Sequence, residues 1–537
     1  MSSLLSRIEK LNEIGIALSA EKDVQRLLEN ILLGAKELAN ADGGTLYLLD
    51  EAGESLGFEI ISNTSLSIAM SGASAEAITF PAIPLYVDGE PNYSTVVTSC
   101  IIKDCTINIS DTYQSDEYDF SGARQFDENT GYRTQSLLTI PLKNHENDII
   151  GVMQLINHLD SETGEVNEFS ATEVQLTESL ASQAAVALTQ KRLLDELKKL
   201  FESFIQLIAT AIDDKSPYTG GHCRRVPELT LMIADAVHDN QVGPLRDFTM
   251  SEEDRHELEI AGWLHDCGKV TTPEYVVDKA TKLETICDRI HLVESRFEII
   301  KRDLEIAALK EKIRLLGGEA VTAPILDAGQ TEQLNNDLSF VKNANIGGEY
   351  MSEEDMQRIR SIALTRWTDM HGEEKPLLSE NEVDNLTIRA GTLLPEEREI
   401  INYHIVATVK MLEALPFPKH LQRVPEFAGG HHERMDGKGY PKGLTRDQMS
   451  VQARVMAVAD IFEALTAADR PYKDGKKLSE CLRIMAKMVK NNHIDPDIYD
   501  IFIREKVYLK YAEAFVDPAQ IDDVSEVLGS GCDLATS

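Results

Sequence analysis

Positive charge is scarce in this 537-residue chain, which has 53 Lys and Arg against 90 Asp and Glu and a formal net charge of −37. So acidic a chain has no general affinity for nucleic acid, because nothing would neutralise a run of phosphates. We therefore expect no nucleic-acid polymer among its partners. A small anionic substrate would bind only where metal ions or a local cluster of Lys and Arg make the electrostatic potential positive.

Long apolar runs and cysteine motifs are lacking as well. No stretch reaches about 18 apolar residues, so the sequence predicts no transmembrane helix and no membrane partner. Residues 1–7 lack a basic region followed by an apolar core, which predicts that the chain is not secreted. The seven cysteines form no CxxC pair, a pattern typical of reduced thiols, and we expect a cytoplasmic protein. Cys100 and Cys105 are interpreted as structural thiols in preference to a redox pair.

The length and composition predict a globular protein with more than one domain. Hydrophobic residues make up 42% and charged residues 27%, which is ordinary for folded domains. The first 190 residues mix helix and strand: a helix is predicted over residues 11–40, a strand over 44–49, and a hairpin from 137–142 and 149–157. One sheet with helices packed on it is the simplest architecture for this pattern.

From about residue 171 the pattern becomes helical. Residues 171–215 contain neither Pro nor Gly and predict one continuous helix. Apolar residues step along it by three and four, as in a coiled-coil seam: Leu194, Leu197, Phe201, Phe204 and Ile208. The helix either packs on its own domain or is a dimerising signalling helix, and the length of the seam favours the second interpretation and a homodimer. Further on, residues 286–393 predict a charged helical insertion, and residues 517–537 an acidic tail.

Histidine and carboxylate side chains recur in separated segments of the second half. A lone histidine on an apolar helix is usually a satisfied core residue, and a His-Asp pair occurs by chance. Asp460 differs because it lies in an apolar helical run, where burying a carboxylate is costly without a partner such as a metal ion. The candidate ligands are His222, His265, Asp266, His404, His431, His432 and Asp460. This mixture of imidazole and carboxylate favours Fe or Mn, and Zn stays open.

Two adjacent metal ions would give such a site its chemistry. Asp266 can bridge two ions about 3.5–4 Å apart, and such pairs activate water and polarise phosphoryl oxygens. Lys269 follows Asp266 by three residues and so shares its helical face. Lys269 would stabilise charge on phosphate oxygens, the alternative being an ordinary solvent-exposed lysine.

Two stretches resemble the HD-GYP phosphodiesterases: His265-Asp266 with Gly268-Lys269, and the run His-His-Glu-Arg-Met-Asp-Gly-Lys-Gly-Tyr-Pro at 431–441. The resemblance spans about residues 200–516, apart from the insertion. It implies an all-α bundle around two or three metals, often iron, and hydrolysis of cyclic di-GMP to the linear dinucleotide and often to GMP. It also implies that all seven candidate residues are metal ligands.

The same resemblance implies roles in substrate binding. Lys269 would contact the scissile phosphate, and Gly439-Tyr440-Pro441 would shape the substrate loop. Arg470 and Lys473 would hold the phosphates or bases, a task that suits a guanidinium fork.

The chain departs from the family pattern in three places. Tyr218 stands where members with three metals carry a glutamate, so we predict two metals. The spacing from Asp266 to His404 is long, and His291 stands nearer to the expected distance. We prefer His404 because residues 394–404 resemble the family's stretch before this histidine, and we keep His291 as the reserve candidate. The interval from Asp460 to Arg470 is one residue longer than in the shortest members.

The first half resembles a GAF domain, a small-ligand sensor module. Residues 126–136 and 149–157 carry the resemblance, which covers about residues 11–190 and is greatest to the GAF domains of cyclic-nucleotide phosphodiesterases. Asp127 matches an aspartate of a ligand-associated motif whose remainder is not evident here. The domain therefore either binds a small-molecule effector or serves only in dimerisation.

Together these features predict a multidomain protein. An α/β GAF domain (residues 1–190), an antiparallel sheet with helices, would be joined by the helix 171–215 to an all-α HD-GYP bundle (residues 200–516). We expect an active cyclic di-GMP phosphodiesterase regulated by the GAF domain. The alternatives are a phosphodiesterase for cyclic GMP-AMP and a non-catalytic cyclic-dinucleotide receptor or adaptor.

Overall fold

The computed structural model divides the chain into two compact units, Met1–Leu200 and Phe201–Ser537. It describes residues 2–21, 23–71, 78, 80–215, 221–316, 328–348, 350–468, 475–525 and 527. Within these residues, no helix combines the length and the apolar character that a membrane span requires.

The first unit is built on an antiparallel sheet. Its strands are β1 Ala41–Leu49, β2 Ser55–Asn63, β3 Ile68–Ser71, β4 Ile83–Pro84, β5 Tyr86–Val87, β6 Glu90–Pro91, β7 Ile107–Ile109, β8 Leu137–Lys143, β9 Ile149–Leu159 and β10 Val166–Asn167. The strand order is β3-β2-β1-β9-β8-β7, with β4 beside β2, β10 beside β9, and β5 and β6 paired separately. The predicted hairpin is confirmed, since β8 and β9 pair antiparallel with Leu137 opposite Ile156 and Leu142 opposite Gly151.

Helices cover both faces of this sheet. They are α1 Ser2–Ala20, α2 Val24–Ala39, α3 Val96–Ile102, α4 Ser121–Thr130 and the long α5 Ala171–Lys215. The larger core joins α1, α2 and the first turns of α5 to the sheet through side chains such as Ile31, Leu46 and Leu180. A smaller apolar cluster joins α3 to the sheet through side chains such as Leu56 and Cys100. Cys100 is buried, Cys105 is exposed, and both are free thiols.

The prediction of one helix over residues 11–40 is wrong. The structure has two helices there, because Asp23 starts a new one: its carboxylate accepts the Arg26 backbone N–H at 2.8 Å. Such a cap satisfies one of the N–H groups that a helix start leaves without an internal partner.

The second unit is mainly helical, as predicted. Its helices are α6 His222–His238, α7 Glu252–Leu264, α8 Glu274–Val277, α9 Ile290–Leu316, α10 Ala328–Ile346, α11 Glu353–Ala363, α12 Glu380–Leu386, α13 Pro395–Glu413, α14 Val424–Gly429, α15 Val451–Thr466, α16 Leu478–Lys490, α17 Pro496–Arg504 and α18 Val507–Phe515. Short 3-10 helices lie at Cys267–Thr271, Lys419–Leu421, Arg446–Gln448 and Pro518–Gln520, and β11 Arg366–Thr368 pairs with β12 Glu374–Pro376. Residues such as Leu229, Phe427 and Phe462 form the main core, which joins α6, α7, α14 and α15.

The region predicted as an insertion packs around a core of its own. Buried side chains of α9, α10 and α11, among them Phe297, Val341 and Ile359, form it. Lys282 lies beside this core, and its ammonium donates to the carbonyls of Leu386 at 3.0 Å and Ile388 at 2.7 Å.

The start of the predicted acidic tail packs on the second unit. The Gln520 side-chain amide donates to the carbonyls of Thr466 and Lys476, both at 2.9 Å. Residues 526 and 528–537 lie outside the described part of the chain.

Candidate metal centre

The seven candidate ligands come together in the second unit from separate elements. His222 is the first residue of α6, His265 is the C-cap of α7, and Asp266 is the N-cap of the 3-10 helix Cys267–Thr271. His404 lies in α13, the pair His431 and His432 follows α14, and Asp460 lies in α15. The helices bring them together because their apolar faces pack in one core.

Asp266 lies at the middle of this cluster, and its Oδ2 faces a first group of side chains. The Nε2 atoms of His222 and His265 lie 3.3 Å and 3.2 Å from Oδ2. His222 Nε2 is also 3.3 Å from Asp460 Oδ1. The ammonium of Lys269 lies 2.6 Å from the same Oδ2, so Lys269 is directed at the cluster.

The other oxygen of Asp266 faces a second group. His404 Nε2 lies 3.3 Å from Asp266 Oδ1. Ligand atoms of His404, His431 and His432 lie within 4.8 Å of one another, as do those of His222, His265 and Asp266. Asp266 thus presents one oxygen to each of two histidine groups.

The remaining ring nitrogens orient the imidazoles. His265 Nδ1 donates to the carbonyl of Gly262 at 2.7 Å and His431 Nδ1 to that of Ala428 at 2.6 Å, while His404 Nδ1 donates to that of Ile401. A carbonyl only accepts, so each Nδ1 carries a proton, and a neutral ring in this orientation has its lone pair on Nε2. This is the arrangement that metal-ligating histidines adopt in proteins.

Three buried atoms of the cluster mark where cations fit. No described residue makes a hydrogen bond with Asp266 Oδ1, His404 Nε2 or His431 Nε2. Buried polar atoms are ordinarily paired, because leaving them unpaired costs free energy. Each of the three carries a lone pair, so divalent cations would satisfy them together, and the donor set fits such ions.

The electrostatics give most of these side chains the protonation state of a metal ligand. Burial opposes ionisation of Asp266, but the charges of Lys269 and His265 hold its pKa well below the usual range. Burial lowers the pKa of His431 well below its ordinary value and that of His432 to about 4. An ionised carboxylate and neutral imidazoles are the forms that bind metals.

His222 behaves differently. Burial alone would lower its pKa, but the carboxylate of Glu463 and those of Asp266 and Asp460 outweigh burial and raise the pKa. Glu463 is almost fully buried; it accepts from His222 Nδ1, and its Oε1 lies 2.7 Å from Arg225 Nε. Glu463 was not among the predicted site residues, although its position three residues after Asp460 puts both carboxylates on one face of α15.

The predicted substrate loop lies against the cluster. A Cβ on Gly439 would lie 2.4 Å from Glu433 Cα, so only glycine fits there. The Tyr440 ring stacks on His432 with centroids 4.9 Å apart. Glu433, which the sequence analysis also missed, accepts the backbone N–H groups of residues 442–444 and so shapes the loop that follows Pro441.

Other predicted residues lie elsewhere. His291 is exposed and its Nδ1 lies 3.1 Å from Glu294, so the structure places His404, not His291, beside Asp266. Tyr218, Arg470 and Lys473 lie outside the described residues, and the predictions made for them, including the choice of two metals over three, stay predictions.

Asp127 lies in the first unit and is buried there. Its carboxylate accepts from the Thr134 backbone N–H at 2.8 Å, from Thr134 Oγ1 at 2.9 Å and from the Tyr113 hydroxyl at 2.9 Å. Its predicted contact with a ligand stays a prediction.

Comparison with known families agrees with this architecture. Residues 23–188 match the GAF domain, and residues 219–344 and 381–498 match the HD domain. The chain therefore contains a GAF domain followed by an HD domain, and the predicted resemblance to both is confirmed.

The chain is also similar, over shorter segments, to proteins named as cyclic-dinucleotide phosphodiesterases. The chain is 43% identical over 81 residues to a 3'3'-cGAMP-specific phosphodiesterase of Vibrio cholerae, covering 15% of this chain and 19% of the relative. It is 47% identical over 74 residues to a cyclic di-GMP phosphodiesterase of Pseudomonas aeruginosa (14% and 17%). It is 35% identical over 121 residues to a cyclic di-GMP phosphodiesterase of Thermotoga maritima (22% and 32%). The matched segments span less than a third of the length of each of these relatives.

Proposed function

We propose that this protein hydrolyses the phosphodiester bonds of cyclic di-GMP, giving the linear dinucleotide and then GMP. The observation that carries the proposal is Asp266, whose two oxygens face two separate histidine groups. Buried acceptor atoms with no hydrogen-bond partner among the described residues lie on the side of the second group: Asp266 Oδ1, His404 Nε2 and His431 Nε2. The similarity to relatives named as cyclic-dinucleotide phosphodiesterases supports the substrate class.

The residues around Asp266 would hold two divalent ions, Fe or Mn being best suited to mixed imidazole and carboxylate ligands. One ion would be held by His222, His265 and Asp460, the other by His404, His431 and His432, with Asp266 shared between them. When bound, such ions supply Lewis acidity toward the phosphoryl oxygens and lower the pKa of a coordinated water.

The protein's own side chains would bind and orient the substrate. Lys269 is already directed into the cluster through Asp266 and keeps about a fifth of its side chain exposed. We infer that its ammonium contacts the scissile phosphate and stabilises charge that develops on its oxygens. The loop Gly439-Tyr440-Pro441 would line the substrate site, and Arg470 and Lys473 would hold its phosphates or bases.

The GAF domain would regulate this reaction through α5 in a homodimer. Large apolar side chains of α5 are exposed, which supports a coiled-coil contact with a second copy: Leu193, Leu194, Leu197, Leu200, Phe204, Leu207 and Ile208. An effector that hydrogen-bonds to Asp127 would have to displace a donor of Thr134 or Tyr113.

Two alternatives make different predictions. A preference for cyclic GMP-AMP is supported by the Vibrio cholerae relative, whose name specifies that substrate. A non-catalytic receptor is disfavoured because the ligand cluster and Lys269 are all present.

The test is turnover by protein purified without oxygen and loaded with Fe(II) or Mn(II), assayed on both cyclic dinucleotides and on the linear one. We expect cyclic di-GMP to be consumed, with the linear dinucleotide formed first. Faster consumption of cyclic GMP-AMP would favour the first alternative. Tight binding without consumption of any of the three would overturn the proposal in favour of a receptor.

A further inference from the structure

The last turn of α5 contacts the backbone of both segments that carry the first ligand group. Asp213 and Lys215 lie two residues apart in this turn. Asp213 is 5% exposed, and each side chain makes several hydrogen bonds to backbone atoms of the second unit.

Asp213 caps the helix that begins with His222. Gly221, the residue before α6, adopts a left-handed conformation (φ 84°) and has no side chain to cap the helix. The Asp213 carboxylate takes that place, accepting the Gly221 N–H at 3.1 Å and the Cys223 N–H at 3.2 Å. A negative charge at a helix start also complements the helix dipole. Because His222 lies between the two donors, Asp213 fixes the backbone on both sides of this ligand.

Lys215 caps the turn that follows Asp266. Its ammonium donates to the carbonyls of Lys269 at 3.2 Å, Val270 at 2.7 Å and Thr272 at 2.7 Å. An ammonium has three N–H donors, and here they meet three carbonyls at the end of the 3-10 helix Cys267–Thr271. A positive charge is favoured at this end of a helix.

We propose that Asp213 and Lys215 are positioning residues that set the separation of His222 from Asp266, and that the end of α5 regulates the metal site through them. The two segments that these residues hold carry His222 and Asp266, whose Nε2 and Oδ2 atoms lie 3.3 Å apart. Because a metal site tolerates displacements of its ligands of only about 0.5 Å, a small shift of either segment would disturb it. Because one turn holds both segments, any displacement of this turn moves both. The inference rests on the proposed function in taking the cluster as the site that α5 regulates.

The test compares single variants of the full-length protein. Two variants remove the caps: Asp213→Ala and Lys215→Met. Two milder changes keep part of each cap: Asp213→Asn and Lys215→Arg. The matched control is Asp214→Asn, because Asp214 is exposed on the same turn. Mn(II) affinity is measured by competition with a chelator, folding by circular dichroism, and kcat and KM separately on cyclic di-GMP.

Asp213→Ala and Lys215→Met should lower Mn(II) affinity by about 10–100-fold, as loss of outer-shell support does. They should lower kcat with little change in KM, because the caps act on ligand geometry. Lys215→Arg should retain most of the affinity, and Asp214→Asn all of it. Should either cap-removing variant fail to fold, Asp213→Asn is expected to fold with a smaller loss of affinity.

Wild-type Mn(II) affinity in folded cap-removing variants would overturn the proposal, as would an equal loss in Asp214→Asn. If the wild-type protein hydrolysed no cyclic dinucleotide, the proposed function would fall. The Mn(II) affinities of the cap-removing variants and of Asp214→Asn would then still show whether Asp213 and Lys215 position the ligands.

Discussion

Each unit of the molecule buries an aspartate, and the two carboxylates have different surroundings. In the first unit, Asp127 accepts from two groups of Thr134 and from Tyr113, so the protein itself supplies its donors. In the second unit, Asp266 faces imidazole nitrogens, and no described residue donates to its Oδ1. Asp266 was predicted to bind metal and Asp127 to contact a GAF ligand.

This difference separates a carboxylate whose hydrogen-bond donors the protein supplies from a candidate metal ligand. A buried carboxylate needs hydrogen-bond donors or a cation. Asp127 has donors in the correct geometry, which stabilise the loop that carries Thr134. Asp266 lies among lone pairs of His404 and other imidazoles, an environment that cations would stabilise.

Replacement of Asp266 by Ala should have the largest effect. This variant has no oxygen shared between the two histidine groups, so we expect turnover to fall to background. The affinity for metal should fall by more than about 100-fold, which exceeds the loss caused by removing residues that support the ligands from outside. Metal analysis and product chromatography measure both. Full activity in this variant would refute a bridging role for Asp266.

Replacement of Glu463 by Gln should have the next largest effect. Glu463 accepts from His222 Nδ1 and pairs with Arg225, so its charge orients a ligand without contacting substrate. We expect about 10–100-fold weaker metal binding, measured by chelator competition in folded protein. Glu480→Gln serves as the control, since Glu480 lies on α16 and pairs with Lys476, which precedes that helix. Equal losses in the two variants would show that the effect is not local.

A change of helical phase in α5 should have a smaller effect. Two alanines inserted after Glu196 turn the following segment by about 200°, whereas seven bring it back to within about 20° of the original phase. If α5 carries the regulation, the first insertion should lower kcat/KM by about fivefold or more, at the low end of ordinary coupling energies. The second should leave most activity. Activity that did not depend on the inserted length would exclude coupling through the phase of α5.

Replacement of Asp127 by Ala should leave the metal site unchanged. It strands the buried donors of Thr134, so we expect the first unit to lose about 1–3 kcal/mol of stability. Denaturant unfolding followed in that unit measures this loss of stability, and metal analysis checks that the second unit still binds metal. A change in bound metal as large as that of Asp266→Ala would contradict the distinction between the two aspartates.

Much of the fold and the cluster could be predicted because local patterns carry them. The sequence predicted the strand β1 and the hairpin of β8 and β9, and the absence of Pro and Gly marked α5. Asp460 stood out because a carboxylate is costly to bury in an apolar helix, whereas His265-Asp266 and the run at 431–441 stood out through their resemblance to the HD-GYP phosphodiesterases.

What could not be predicted depends on contacts between distant segments. Nothing near His222 in the sequence shows that Glu463 accepts its Nδ1 proton, or that Lys215 meets carbonyls more than fifty residues away. Spacing alone pointed to His291, whereas the resemblance of residues 394–404 to the family pointed to His404, which the packing of α13 places beside Asp266. The break before α2 was readable from Asp23 as a helix cap and was missed.

The number of metal ions bound per chain shows whether Asp266 joins two metal-binding groups. Protein purified without oxygen and loaded with Mn(II) should bind two ions per chain, and electron paramagnetic resonance should show a coupled pair that Asp266→Ala lacks. One uncoupled ion per chain in active wild-type protein would contradict the claim.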